Sequence, residues 1–228
     1  MWPDDTDALI ALQDSLAAAP GPGFNFDPTA PVGACYVCFA RGGTGSGGAG
    51  DPAWAAAALT RRGRTQSTVA VPGRAGGPYL PGLLALREGA LLEAAVRALP
   101  YPPAVLLVDG TGRDHPRRAG LALHLGAALG LPTVGVTHRP LVAAGDWPAA
   151  ERGAVSPLLL EGQLVGYWLR TRTGARPLAV HAAWGTDPAL AVEVVLAATR
   201  RPRTPEPLRE ARRAARRARA AAEARQPR

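Results

Sequence analysis

Asp109 closes an apolar run, Ala104 to Val108, and opens the stretch Asp109-Gly110-Thr111-Gly112-Arg113-Asp114-His115-Pro116-Arg117. A carboxylate at the carboxyl end of an inner strand is held rigidly with its oxygens toward a cleft, as magnesium coordination requires. His115 suits proton donation, phosphate binding or assistance to a metal. A strand-end aspartate equally suits a turn, and a lone histidine equally suits packing. A second constellation is Gly77-Pro78-Tyr79-Leu80-Pro81-Gly82-Leu83-Leu84-Ala85-Leu86-Arg87-Glu88. Pro78 and Pro81 stiffen the loop that carries Tyr79, and an aromatic so held can stack on or wedge between bases at little ordering cost. Glu88 falls on a largely apolar helical face, where an unpaired carboxylate is costly unless it meets a cation. A metal ion, Arg87 and Arg117 are the cations in reach.

The elements that must position these residues follow from the pattern of apolar residues. Val32 to Phe39 is a strand bounded by Pro31 and by the glycine stretch Gly42 to Gly50, which reads as a flexible hairpin loop. Trp54 to Thr60 and Ser67 to Val71 continue it as an antiparallel meander. Leu83, Leu84, Leu86, Leu91, Leu92 and Val96 then recur at helical spacing between Pro81 and Leu99. Ala104 to Val108, a helix over Arg117 to Leu129 and a strand at Thr133 to Val136 form a strand, helix, strand unit with parallel strands. Strands at Leu158 to Glu161, Val165 to Arg170 and Leu178 to His181 and a helix from Pro188 to Thr199 complete one domain. Antiparallel strands followed by a parallel unit give the ribonuclease H-like α/β order, a central mixed sheet with flanking helices.

Composition narrows the function classes. With 228 residues and 47% hydrophobic content the chain supports one substantial core, over residues 1–204. Its apolar runs are too short to span a bilayer, and the acidic start, Met1 to Asp7, disfavours export, so a cytoplasmic monomer without membrane contact is expected. The formal charge of +8 lies wholly in the last stretch, where eleven arginines face three glutamates between Arg200 and Arg228. Residues 205–228 have only alanine to bury beyond Leu208, which predicts a solvated basic helical tail whose arginines contact phosphates without reading sequence. Cys35 and Cys38 lack further ligands at zinc spacing and read as small buried strand residues.

The two constellations resemble the signatures of the endonuclease V family: a Pro-Tyr-aliphatic-Pro-Gly wedge ending in Arg-Glu, then Val-Asp-Gly-x-Gly-x-x-His-Pro-Arg. The likeness continues through Gly120, His124 and Gly126 and through Pro132 to Val136, and ends at Pro205-Glu206-Pro207. It implies a nuclease that cuts the second phosphodiester 3′ to deoxyinosine, in DNA or in some members RNA, with magnesium or manganese. By position, Glu88 and Asp109 would be metal ligands and His115 the catalytic histidine. Tyr79, with Pro78, would be the strand-separating wedge, and the backbone around Gly82, Leu84, Gly110 and Leu121 would receive the extruded hypoxanthine. Arg117 and His138 would contact the nucleic acid.

Three positions depart from that pattern. The family carries a first-strand aspartate in a pattern like Gly-x-Asp-x-x-aromatic. Alignment on Phe39 puts Tyr36 in its place, and a shift of one residue puts Cys35 there. Neither is an anionic hard oxygen ligand. His138 replaces a lysine, and Ala182, Ala183 and Trp184 stand where a Gly-His segment is expected, with His181 beside them. These losses predict weakened magnesium binding unless Asp114 or Asp51 supplies the missing oxygen. They open an alternative, a degenerate homologue that binds deaminated or distorted nucleic acid without cleavage.

Overall fold

The computed structural model describes residues 2–19, 21–41 and 47–225. The meander forms as its pattern dictates: β1 (Val32–Phe39), β2 (Pro52–Arg61) and β3 (Arg64–Arg74) pair antiparallel in sequence order. Arg62 and Gly63 both take positive φ in the two-residue connection, which matches the twist of the strands it joins. Part of the expected glycine loop, 42–46, lies outside the described residues. The rest folds back, with Gly50 donating to Ala75 and Tyr79 to Gly47 through their backbones.

Helix α2 (Leu84–Arg97) leads into β4 (Val105–Val108), and α3 (Leu121–Leu129) crosses to β5 (Thr133–Thr137). Strand β4 lies parallel to both β1 and β5. Strand β8 (Leu178–Ala182) pairs antiparallel with β5, β7 (Gln163–Leu169) with β8 and β6 (Val155–Leu160) with β7, and α4 (Pro188–Ala197) follows. One mixed eight-stranded sheet results, ordered β3-β2-β1-β4-β5-β8-β7-β6. Helices α2 and α3 pack on one face. They are joined there by α1 (Thr6–Ala18), a helix the apolar pattern did not announce, capped by the Asp5 side chain accepting from the Ala8 N–H at 2.8 Å. Helix α4 and the final helix cover the other face.

That final helix corrects one expectation. The expected solvated arm is instead a packed helix over most of its length: α5 (Glu206–Glu223) packs across β1, β2 and β3. Leu208, Ala211, Ala214 and Ala215 are buried, and Ala218 and Ala222 continue the same stripe against Tyr36, Cys38, Trp54 and Ala56. Alanine suffices because the opposing strand is itself alanine: β2 is buried over eight successive residues, Ala53 to Thr60. Small side chains on both surfaces let the helix approach closely, so dispersion contacts replace bulk. Overpacking that seam with Ala215→Leu is expected to cost about 1–3 kcal/mol and to lower the thermal midpoint. Arg217→Leu, on the exposed side, should leave the midpoint unchanged, whereas in a solvated arm the two variants would behave alike.

Candidate nucleic-acid interface

The wedge loop is built from behind. Gly82 takes φ +75°, a left-handed conformation open to glycine, and turns the chain from Pro81 into α2. Its carbonyl accepts from Gln13 Nε2 at 3.0 Å and from His115 Nε2 at 2.8 Å. His115 Nδ1 accepts in turn from the Arg117 N–H at 3.1 Å, so the ring is the neutral Nε2–H tautomer. Burial, the leading influence, pushes its pKa below the usual histidine value. Both nitrogens are committed, and His115 acts here as the fastener of the loop rather than as a free proton donor. Arg117 is also committed, its Nε donating to Gln13 Oε1 at 2.8 Å. Gln13, buried on α1, is a part of this site that motif reasoning passed over.

Held in this way, Tyr79 stays at the surface, 45% exposed, with Pro78 also exposed beside it. Below it lies a cavity of about 260 Å³ whose walls include Tyr79, Gly82, Leu84, Gly110, His115 and Leu121. The wedge and the base-receiving positions named from sequence therefore converge on one pocket. Helices α2 and α3 both begin there, at Leu84 and Leu121, and neither has a side-chain cap. The Ala122 N–H already donates to Thr111, and the Leu84 and Ala85 N–H groups at the start of α2 are the natural hydrogen-bond donors of such a pocket.

Tyr79, Leu84 and Asp109 also wall a second cavity of about 440 Å³, which reaches Glu88, Cys35 and Tyr36. Glu88 and Asp109 thus share one cleft, brought together by α2 and the end of β4. Burial first, and the Asp109 carboxylate second, raise the Glu88 pKa to about 8. The arginines offered as partners for Glu88 point elsewhere: Arg87 binds Asp51 at 2.8 Å and stacks on Phe39, and Arg117 holds Gln13.

Cys35 and Val37 face α2, whereas Tyr36 and Cys38 face α5, and both Cys35 and Tyr36 line the cleft with Glu88 and Asp109. Burial, reinforced by Asp109 and Glu88, raises the Cys35 thiol pKa far above neutral. Both cysteines are free and buried on opposite faces. Neither rescue carboxylate reaches the cleft. Asp114 is fully buried and accepts from the Leu141, Val142 and Ala143 N–H groups, and Asp51 is tied to Arg87 and the Gly48 N–H. His181 lies at 3.5 Å from Asp114 and bonds Thr137, away from the cleft, with burial lowering its pKa to about 4. His138 is exposed, its Nδ1 accepting from Arg203 at 3.1 Å.

What does meet Asp109 is an arginine from α5. Arg212 Nη2 donates to Asp109 Oδ2 at 2.9 Å, and its guanidinium carbon lies 5.0 Å from the centre of the Tyr36 ring. A magnesium site needs anionic oxygens free to face a common point. Here the first strand offers a thiol and a phenol in place of a carboxylate, and Asp109 is bound by a guanidinium. Among the described residues no group of three or more His, Cys, Asp or Glu gathers to hold a metal. The residues as arranged do not fit a divalent ion.

The profile of the Endonuclease V family matches residues 46–213 of the sequence. The chain belongs to the endonuclease V family. The Endonuclease V of Streptomyces coelicolor is 39% identical over 221 residues, covering 92% of this chain and 89% of that protein. Among solved structures, the Endonuclease V of Streptomyces avermitilis superposes with a TM-score of 0.85 at 36% identity, covering 97% of this chain and 96% of that one. The catalytic domain of human Endonuclease V gives 0.83 at 27% identity, over 96% and 99%. The mixed sheet with helices on both faces is accordingly the ribonuclease H-like fold of endonuclease V. No helix among the described residues is long and apolar enough to cross a membrane.

Proposed function

We propose that this chain recognises deaminated adenine in nucleic acid, takes the extruded hypoxanthine into the pocket below Tyr79, and holds the strand without cutting it. The observation that carries the reading is the pairing of an exposed, proline-stiffened tyrosine with a preformed pocket onto which the uncapped N terminus of α2 opens. Hypoxanthine presents an acceptor oxygen where adenine presents an amino donor, so backbone N–H groups favour the deaminated base. Retention without cleavage follows from the chemistry beside the pocket, where Arg212 occupies Asp109 and Cys35 supplies no anion. DNA carrying deoxyinosine is the expected partner, with RNA as a second substrate, bound by a monomer in the cytoplasm.

One observation favours a second reading, hydrolysis of the second phosphodiester 3′ to deoxyinosine. The Glu88 and Asp109 carboxylates share a cleft next to the base pocket, and magnesium or manganese that displaced Arg212 would find both. The two readings part in one experiment. Labelled oligonucleotides, DNA and RNA, with one inosine or one adenosine are followed by fluorescence anisotropy and, after incubation with magnesium or manganese, by denaturing gel. The expected result is tighter binding of the inosine strands and no nicks. Tyr79→Ala should weaken binding about 10-fold or more, since one stacked base contributes about 1–3 kcal/mol. Nicking that Glu88→Ala abolishes would establish the second reading, and equal affinity for inosine and adenosine would refute base recognition.

A further inference from the structure

We propose that the Arg212 guanidinium, bound to Asp109 at the edge of this cleft, stands in for a divalent ion and binds a backbone phosphodiester beside the extruded base. The inference rests on the base-recognition reading for its ligand, but it stands on separate geometry. Arg212 is fixed from behind, because Ala211, Ala214 and Ala215 on either side of it are buried in the seam between α5 and the sheet. Its planar group lies over the Tyr36 ring and touches Asp109 through one nitrogen. Its Nε is buried and has no hydrogen-bond partner. A guanidinium has five N–H donors in a planar fork. A purely structural pair would close that fork bidentately on the carboxylate. The single-point contact leaves donors over, and the side chain remains 25% exposed.

The surroundings favour an anion there. Arg219 stands seven residues further along α5 on the same face, and it lines the cavity that holds Glu88 and Asp109. His138, at the end of β5, feels the charges of both Asp109 and Arg212 and accepts from Arg203. Asp109 separates this cluster from the base pocket and walls both cavities. A strand whose base enters below Tyr79 must therefore lay its adjoining phosphate over Asp109, where Arg212 lies. In this arrangement Asp109 orients a guanidinium instead of an ion, and the cleft grips a phosphodiester without the Lewis acid that would activate water against it.

The test uses the full chain in EDTA with a fluorescein-labelled deoxyinosine oligonucleotide, titrated by anisotropy over a series of salt concentrations. The native chain is expected to bind without metal. Arg212→Ala should weaken binding about 5–10-fold and reduce the slope of log K against log[salt] by about 0.7–0.9, the loss of one phosphate contact. Arg212→Lys should restore the slope but only part of the affinity, because the planar fork is gone. Arg217→Ala, the same charge change on the exposed side of α5, controls for bulk electrostatics, and melting curves control for folding. In parallel, manganese binding is read by electron paramagnetic resonance without nucleic acid. Arg212→Ala should bind manganese at least 10-fold more tightly than the native chain, because Asp109 is released. An Arg212→Ala variant with native affinity and salt slope, or native manganese binding as tight as the variant's, overturns the proposal. Equal affinity of the native chain for deoxyinosine and deoxyadenosine strands, with the Arg212 effect retained on both, upholds the phosphate contact and sinks only the base-recognition reading.

Discussion

Asp114→Ala is expected to destabilise the fold by about 3–5 kcal/mol, the range for breaking a buried charged network, and to lower the thermal midpoint by about 10 °C. Asp114 is fully buried and both of its oxygens accept backbone bonds, from Leu141 at 2.6 Å, Val142 at 2.9 Å and Ala143 at 2.7 Å. Truncation strands three N–H groups and opens a cavity beside His181, which would lose its only close carboxylate. Asp114→Asn keeps one acceptor oxygen and should lose about half as much. The consequence reaches function through geometry, because Arg139, Pro140 and Leu141, which Asp114 anchors, wall the base pocket. Affinity for deoxyinosine strands should therefore fall even at temperatures where the variant is folded. Thermal denaturation followed by circular dichroism, with anisotropy at a temperature where both proteins are folded, checks both parts. A midpoint within 2 °C of the native value, on the order of 1 kcal/mol or less, would show that Asp114 is no anchor.

Asp114 also marks where the sequence stops being informative. Its place beside His115 in a catalytic-looking motif made it a candidate ligand, but the reverse turn after Gly112 carries it to the 141–143 segment, a contact between residues nearly thirty apart. The strands and helices were legible because period and punctuation act locally: β1 was bounded by Pro31 and its glycines, α2 by its leucine repeat and Pro100. The sharing of one cleft by Glu88 and Asp109 was an expectation of the family resemblance, and α2 returning into β4 puts the start of the helix beside the carboxyl end of the strand. That Cys35 and Tyr36, on opposite faces of β1, both reach the cleft depended on the twist of the strand end, which no local pattern gives. Arg212 was hidden by composition. Read alone, an alanine and arginine helix has no face to bury, yet Leu208, Ala211, Ala215, Ala218 and Ala222 repeat at spacings of three and four and fit an alanine strand. Once that stripe is seated, the arginine one position beyond Ala211 lies over Tyr36 and against Asp109. Gln13 was hidden because α1 has a weak apolar repeat and its role depends on a loop seventy residues away.

Glu88 gives the prediction with the clearest pH signature. Its carboxyl keeps its proton to about pH 8 in the folded protein, mainly through burial and then through Asp109, against 4.5 for an exposed glutamate. Below pH 4.5 the group is protonated folded and unfolded, so it does not affect stability. Between 4.5 and 8 the unfolded chain ionises while the folded chain does not, and stability falls as pH rises. Above 8 both forms are ionised and the penalty is complete. At about 1.4 kcal/mol per pH unit the full penalty is at most about 5 kcal/mol, and relaxation of the cleft at high pH reduces it to several. Glu88→Gln removes the titration while keeping the shape. In EDTA, the variant should melt with the native chain at pH 4.5, several degrees above it at pH 7, and furthest above it at pH 9. Thermal midpoints at those three values decide the matter: a constant difference between the two proteins would mean that Glu88 ionises as an ordinary surface acid, in contact with water and free of Asp109. A native chain that instead gains stability with pH would place a cation against Glu88, and Arg212 would be the first residue to substitute in search of it.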